Sequence, residues 1–143
     1  LSQADGVHVG QAELTVEQTR RIVGVDSIIG VSTHSLDQVK QAVNDGANYS
    51  GCGPVFTSQT KEFDNFPGIE FLRQVVEATP MPAFAIGGIS LDNIEEISAV
   101  GFTRVAVSAC LTNTDDVTAM VAELKGALDV NKNKAGKADA IRS

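Results

Sequence analysis

GCGPVFTSQTK, residues 51–61, has the composition of a loop that leaves a buried β-strand. The run that leads into it, residues 49–53, is short and apolar and has no helical periodicity. Glycine lets the backbone approach a ligand closely, and hydroxyl groups, backbone amides and the cation of Lys61 can hold an anion. The stretch therefore indicates an anion-binding loop or a polar surface turn, and the remainder of the chain decides between the two.

Strand-like and helix-like segments alternate on both sides of this loop. Thr15 with Gln18, and Ser35 with Gln38, have the spacing of helix capping boxes. The predicted strands are residues 7–9, 28–31, 49–53, 83–86 and 104–107, and the predicted helices, with their caps, are residues 15–23, 35–46, 68–78, 90–99 and 115–128. Short apolar strands that alternate with amphipathic helices are typical of a parallel sheet covered by helices.

Two α/β architectures fit this pattern, an open five-stranded parallel doubly wound sheet and a part of a closed TIM (β/α)8 barrel. Polar or glycine residues follow every predicted strand, namely Gln11 and Glu13, Ser32 and His34, residues 57–61, residues 87–88, and Ser108. In a barrel every strand contributes to one site at the carboxyl ends of the strands, whereas in an open sheet only strands near the switch point do. The distribution of these residues therefore favours the barrel.

Composition limits the class of protein. The chain has the length of one domain, in which we expect residues 1–128 to fold and the polar residues 129–143 to form a disordered tail. A net charge of −7 disfavours nucleic-acid binding. No apolar run reaches the roughly 18 residues of a membrane span, and no signal peptide is visible. We therefore predict a cytoplasmic protein in which Cys52 and Cys110 are buried thiols.

Four motifs together resemble the thiamine phosphate synthase family. They are DGVHVGQ at residues 5–11, GVSTHS at 30–35, GCGPVFTSQTK at 51–61 and AIGGI at 85–89, with order and spacing matched. The resemblance implies a (β/α)8 barrel of which this chain covers strands 4–8. It also implies an enzyme that joins hydroxymethylpyrimidine pyrophosphate to hydroxyethylthiazole phosphate, releases pyrophosphate and uses Mg²⁺.

The resemblance assigns a metal ligand and a catalytic cation. Glu13 stands where the family has an aspartate that binds Mg²⁺. Ser32 matches a serine that contacts the pyrophosphate or the pyrimidine. Lys61 matches a lysine that neutralises the leaving pyrophosphate, which makes it the catalytic residue of this set.

The remaining assignments concern the thiazole phosphate. Ser58 and Thr60 match two threonines that hold this phosphate, and Gly88 matches a glycine whose amide faces it. Ser108 matches a serine at the end of the last strand, although the chain is one residue shorter there and Ala109 competes for the same position. All these substrates are small molecules, and the resemblance implies no nucleic-acid or membrane partner.

Two segments of the family are absent from these 143 residues, a Gln-x-Arg-x-Lys segment and an Asn-Asp pair that bind pyrophosphate and Mg²⁺. We therefore expect the intact protein to begin about 70–90 residues upstream of Leu1, enough for three further βα units. The unpaired outer strands are expected to pair with that segment or with another chain, as in a homo-oligomer.

Two alternatives to the synthase stay open. One is a thiazole tautomerase that uses His34 as acid and base, and the other is an inactive phosphate-binding remnant, if the chain is complete. The phosphate-binding residues Ser58, Thr60 and Lys61 favour the synthase, because the related tautomerases lack them. His8 lies within a strand, where we expect a packed or hydrogen-bonded histidine.

Overall fold

The computed structural model describes residues 3–56 and 67–129, and in this part of the chain five strands alternate with six helices. The strands are β1 (Gly6–Val9), β2 (Ile28–Thr33), β3 (Tyr49–Cys52), β4 (Ala83–Ile86) and β5 (Val105–Ala106). The helices are α1 (Val16–Val23), α2 (Leu36–Asn44), α3 (Gly68–Ala78), α4 (Ile94–Ala99), α5 (Ala109–Thr112) and α6 (Val117–Asp129). No helix among these residues has the length and apolar character needed to cross a bilayer.

The five strands form one parallel sheet in the order β1-β2-β3-β4-β5. A doubly wound sheet reverses its strand order at a switch point, so that helices cover both of its faces. The order of the described strands follows the chain without a reversal, which contradicts the open doubly wound alternative. Sequential parallel strands with a helix after each are the arrangement found in a barrel wall.

The side of the sheet that packs against the helices is buried and mainly apolar. Successive strand residues point to opposite faces, and Val9, Val31, Cys52 and Ala85 share one of them, where each is at most 9% exposed. Two clusters of buried side chains cover these residues from the helices, with Leu72 of α3 among those that are fully buried. We call this face the helix-facing side.

The opposite face, which we call the open face, is more polar and more exposed. Its residues from β1 to β5 are Gly6, His8, Ile28, Gly30, Ser32, Tyr49, Gly51, Phe84, Ile86 and Ala106. Ile28 is 49% exposed and Ile86 is 46% exposed. The same strands therefore present a closed apolar core on one side and an uncovered surface on the other.

Several local predictions are confirmed. Thr15 caps α1 through a complete capping box with Gln18, and Gly24 ends that helix with a φ of 94°. The predicted bounds of α3 and β4 agree with the structure, whereas β2 extends to Thr33, two residues further than predicted. Cys52 is buried as predicted, but Cys110 is partly exposed.

Other helix boundaries differ from the prediction. Ser35 caps α2, but Gln38 does not complete a capping box, because its side-chain oxygen accepts from the backbone amide of His34 instead. The fourth helix begins at Ile94 and not directly after Ser90, since Asn93 bonds the Ser90 amide and holds a turn there.

The C-terminal third of the described chain also departs from the prediction. The strand predicted at residues 104–107 is reduced to β5, and the short helix α5 was not predicted. The last helix is α6, and it ends at Asp129 and not at residue 128. Residues 130–143, where the tail was predicted, lie outside the described residues.

Candidate active site

The carboxyl ends of the five strands lie along one edge of the sheet, because the strands are parallel and in sequential register. We call this the carboxyl edge. Of the residues predicted for the site, Glu13 lies in the loop after β1, Ser32 lies near the end of β2, Gly88 follows β4 and Ser108 follows β5. Ser58, Thr60 and Lys61 follow β3 in the chain and lie outside the described residues.

The loops after β3 and β4 are joined by backbone hydrogen bonds. The amide of Val55 donates to the carbonyl of Ile86 at 3.0 Å, and the amide of Phe56 donates to the carbonyl of Gly87 at 3.1 Å. The peptide bond between Gly53 and Pro54 is cis. Gly87 has a φ of 99°, and a Cβ there would lie 2.7 Å from the Pro54 side chain. Two of the four sequence motifs therefore form a single packed unit.

Asn93 fixes the loop that carries Gly88. Its side-chain nitrogen donates to the carbonyl of Gly88 at 2.9 Å, and its side-chain oxygen accepts from the amide of Ser90 at 2.9 Å. Among the described residues, no backbone acceptor for the Gly88 amide is present. Asn93 was missed by the sequence reasoning, which placed the helix cap at Ser90.

The loop after β1 connects Glu13 with the end of β2. One carboxylate oxygen of Glu13, Oε2, accepts from the Gly10 amide at 2.7 Å. The side-chain amide of Gln11 donates to the backbone carbonyl of Ser32 at 2.6 Å. These bonds hold an exposed carboxylate beside the strand that carries Ser32.

A cavity of about 420 Å³ lies between this loop, α1 and α2. Glu13 lines it together with Asp37, Gln41 and Asp45, but Ser32, Gly88 and Ser108 do not. Because Val9, Val31 and Ala42 of the helix-facing core also line it, the cavity lies on the helix side of the sheet. It is therefore distinct from the surface formed by the other predicted residues.

A chain of polar side chains crosses the open face below the carboxyl edge. His8 Nε2 lies 2.9 Å from the hydroxyl of Ser32, and His8 Nδ1 lies 3.0 Å from the hydroxyl of Tyr49. The Tyr49 ring meets the edge of Phe84, with ring centroids 5.6 Å apart. Burial lowers the pKa of His8, and the charge of Glu13 opposes this effect in part.

These contacts confirm that His8 is a hydrogen-bonded strand residue. The sequence reasoning missed its partner Tyr49 as a functional residue. Alternation within a strand does not by itself place Tyr49 on the face of His8 and Ser32, because that placement also depends on the register between the strands.

His34 and Ser108 occupy the ends of β2 and β5. His34 Nδ1 lies 2.5 Å from the carbonyl oxygen of Gly53, which ties this ring to the start of the loop after β3. Ser108 is exposed and precedes α5, and its carbonyl accepts from the amides of Leu111 and Thr112. Its hydroxyl makes no capping hydrogen bond to α5. Ala109 begins the helix itself, one position further on.

No group of three or more potential metal ligands occurs among residues 3–56 and 67–129. Glu13 is the one carboxylate that the sequence placed in the site. One carboxylate suits Mg²⁺ when phosphate oxygens and water supply the remaining ligands, because Mg²⁺ usually keeps several waters.

Comparison with known proteins identifies relatives of this chain. A thiamine-phosphate synthase from Rhodopirellula baltica is 52% identical over 119 residues, which cover 80% of this chain and 32% of that protein. A thiamine-phosphate synthase from Chloroflexus aurantiacus is 40% identical over 133 residues, which cover 92% of this chain and 61% of that protein. The chain thus spans about a third to three fifths of the length of these relatives.

A solved structure and a family model extend the comparison. The thiamine phosphate pyrophosphorylase from Pyrococcus furiosus superposes with a TM-score of 0.78 at 34% identity, over 88% of this chain and 60% of that one. The family model described as thiamine monophosphate synthase, TMP-TENI, matches residues 1–111. This match covers more than half of the chain, and the chain therefore belongs to the thiamine monophosphate synthase family.

Proposed function

We propose that this chain supplies one part of the active site of a thiamine phosphate synthase. The reaction would join hydroxymethylpyrimidine pyrophosphate to hydroxyethylthiazole phosphate and release pyrophosphate. The family match over residues 1–111 carries this proposal. The arrangement of Glu13, Ser32, Gly88 and Ser108 after four strands of one parallel sheet supports it.

We further propose that the five strands are strands 4–8 of a TIM barrel and that the open face is the inner face of its wall. The sequential strand order supports this, because a barrel closes without reversing the order. The exposure of Ile28 and Ile86 supports it as well, since large exposed apolar surfaces are uncommon on soluble monomers. The remaining strands, or a second chain, would cover this face in a cytoplasmic enzyme.

In this reaction, the main task of the protein is to bind anions. When the carbon–oxygen bond breaks, the pyrophosphate leaves with the bonding electrons, and the electron-rich pyrimidine stabilises the cation that remains. The new bond to the thiazole forms at the same carbon, and no general base is needed for bond cleavage. Positioning of two anions and neutralisation of the leaving charge are therefore the main contributions of the side chains.

Each predicted residue has a role in this scheme. Lys61 would neutralise the departing pyrophosphate, and Ser32 would donate to the pyrimidine substrate. Ser58, Thr60 and the amide of Gly88 would hold the thiazole phosphate, with Ser108 at its side. Glu13 would hold Mg²⁺ with one carboxylate oxygen, and the ion would offset the negative charge of the pyrophosphate when bound.

Replacement of Lys61 tests the proposal most directly. In the full-length protein, we expect Lys61→Ala to lower kcat far more than it raises KM for the thiazole phosphate, because leaving-group charge develops in the transition state. The measurement is steady-state release of pyrophosphate with both substrates varied. Lys40→Ala is the matched control, since Lys40 is an exposed lysine of α2.

Two results would contradict the proposal. A change confined to KM for the thiazole phosphate would remove Lys61 from the leaving-group role. A full-length wild-type protein that forms no thiamine phosphate from the two substrates with Mg²⁺ would remove the synthase function itself.

A further inference from the structure

His8 lies between two hydroxyl groups on the open face, and neither contact belongs to the roles described so far. One ring nitrogen, Nδ1, faces the Tyr49 hydroxyl at 3.0 Å, and the other, Nε2, faces the Ser32 hydroxyl at 2.9 Å. The three residues come from β1, β2 and β3, so the row follows from the sheet register.

The hydrogen-bond partners of Tyr49 and His8 indicate which atom donates in each hydrogen bond of this row. The Tyr49 hydroxyl has no other polar partner among the described residues, and a phenol hydroxyl donates readily to an imidazole nitrogen. If Tyr49 donates to Nδ1, a neutral His8 carries its proton on Nε2. Nε2 then donates to the Ser32 oxygen, and the proton of Ser32 is left for a third partner.

The surroundings hold the rings in this arrangement. The Tyr49 ring lies over Gly30, where a Cβ would come within 2.1 Å of the ring carbon. Gly51 lies beside the His8 ring, with 3.4 Å between an added Cβ and the nearest ring carbon. Phe84 meets Tyr49 edge-on from the next strand. Two glycines thus make room for the two rings, and a third ring limits the tilt of Tyr49.

We propose that His8 is a positioning residue which, fixed by Tyr49 as the Nε2–H tautomer, directs the hydroxyl proton of Ser32 toward an anionic oxygen of the diphosphate ligand. The identity of the ligand rests on the proposed function. The direction of the hydrogen bonds is inferred from the contacts of His8 with Tyr49 and Ser32 and does not depend on the proposed function. Tyr49 acts on the ligand only through His8 and Ser32, so its effect must disappear when Ser32 is absent.

A double-mutant cycle on the full-length protein tests this dependence. The probe is inorganic pyrophosphate, and its Kd is measured by calorimetry with Mg²⁺ present. We expect Tyr49→Phe to raise Kd about three- to tenfold, the effect of one neutral hydrogen bond. In the Ser32→Ala background, the same Tyr49→Phe change should leave Kd unaltered. Equal effects in both backgrounds would overturn the proposal, because they would indicate a merely structural role for Tyr49.

Variants of His8 provide the second test. His8→Gln keeps an N–H donor that can reach Ser32 and should retain most of the affinity for pyrophosphate. His8→Leu has a similar volume without a donor, and it should weaken binding to the level of Ser32→Ala. If His8→Gln binds pyrophosphate no better than His8→Leu, the donor role of His8 is wrong.

The tautomer of His8 can be observed without any ligand or turnover. In protein labelled with ¹⁵N-histidine, the nitrogen chemical shifts of His8, assigned with the His8→Gln variant, should report a proton on Nε2. A proton on Nδ1 would overturn the proposal even if the protein is an active synthase. Conversely, absence of synthase turnover together with the Nε2–H tautomer and a coupled cycle would reject the proposed function and support this inference.

Discussion

The two faces of the sheet are built from alternate residues of the same strands, yet they differ in almost every physical property. On β2, Ile29 and Val31 face the helices and are buried, whereas their neighbours Ile28 and Ser32 lie on the open face and are partly exposed. The helix-facing side is filled mainly with aliphatic side chains, with the hydrogen-bonded hydroxyls of Thr33 and Ser50 buried among them. The open face instead carries His8 and Ser32, joined by a hydrogen bond.

The helix-facing side therefore contributes mainly to stability, whereas the open face and the carboxyl edge carry the polar groups of the candidate site. Burial of apolar area on the helix-facing side stabilises the fold, and it fixes the backbone of each strand. The open face and the carboxyl edge can then hold polar groups in set positions, because the other side of each strand is immobilised. Substitutions on the two sides should therefore change different measured quantities, and three substitutions test this.

The largest expected effect is on the helix-facing side. Ile29 has no exposed surface, and Ile29→Ala should lower the free energy of unfolding by about 2–5 kcal/mol through lost burial and a residual cavity. Ile22→Ala is the matched control, because Ile22 is 72% exposed on α1, and it should change stability by under about 0.5 kcal/mol. Urea unfolding measures both. Similar values for the two variants would contradict the location of the core.

A smaller difference between a variant and its control is expected at the carboxyl edge, where backbone conformation matters most. Gly87→Ala places a Cβ 2.7 Å from Pro54 at a φ of 99°, whereas Gly46→Ala meets nothing within 4 Å at a φ of 79°. Both substitutions cost about 1–2 kcal/mol for the left-handed backbone. Gly87→Ala should cost about 1–3 kcal/mol more, because the loops after β3 and β4 must separate. Equal unfolding free energies for the two variants would show that these loops do not pack together.

The smallest expected effect concerns the metal. Glu13→Gln keeps the oxygen that accepts from Gly10 but removes the charge, so the Mg²⁺ concentration for half-maximal activity should rise several-fold. The control is Glu17→Gln, which lies on the exposed face of α1 in an ion pair with Arg21. If Glu13→Gln leaves the metal dependence unchanged, Glu13 is not a metal ligand, and the charge at this edge has another role. Neither variant should alter stability by as much as Ile29→Ala.

Much of the fold was predictable because its signals are local. A capping box such as that of Thr15 acts within one helical turn, so its residues can be recognised from spacing alone. The failures arose where a side chain had two possible partners close in sequence. The side-chain oxygen of Gln38 accepts from the backbone amide of His34 and not from that of Ser35, and the side-chain oxygen of Asn93 accepts from the amide of Ser90 ahead of the helix. Sequence spacing does not distinguish between such neighbouring partners.

For the candidate site, the sequence predicted which residues follow the strands but not which side chains contact one another. Glu13, Ser32, Gly88 and Ser108 follow different strands, and parallel pairing brings those ends to one edge. The contact between His8 and Tyr49 was not predictable, because it depends on the register of two strand pairs and on the space left by Gly30. Lys61, Ser58 and Thr60 lie outside the described residues, and their roles stay predictions.

The sequential strand order also bears on how the chain is synthesised. Each described strand after β1 pairs with the strand that leaves the ribosome just before it, so no pairing within the described sheet waits for a distant segment. Contacts that are close in sequence form faster during folding than contacts between distant segments. Each new strand and helix can therefore add to a finished edge. Of the two edges of the growing sheet, the one formed by the newest strand is the one that the next strand will cover.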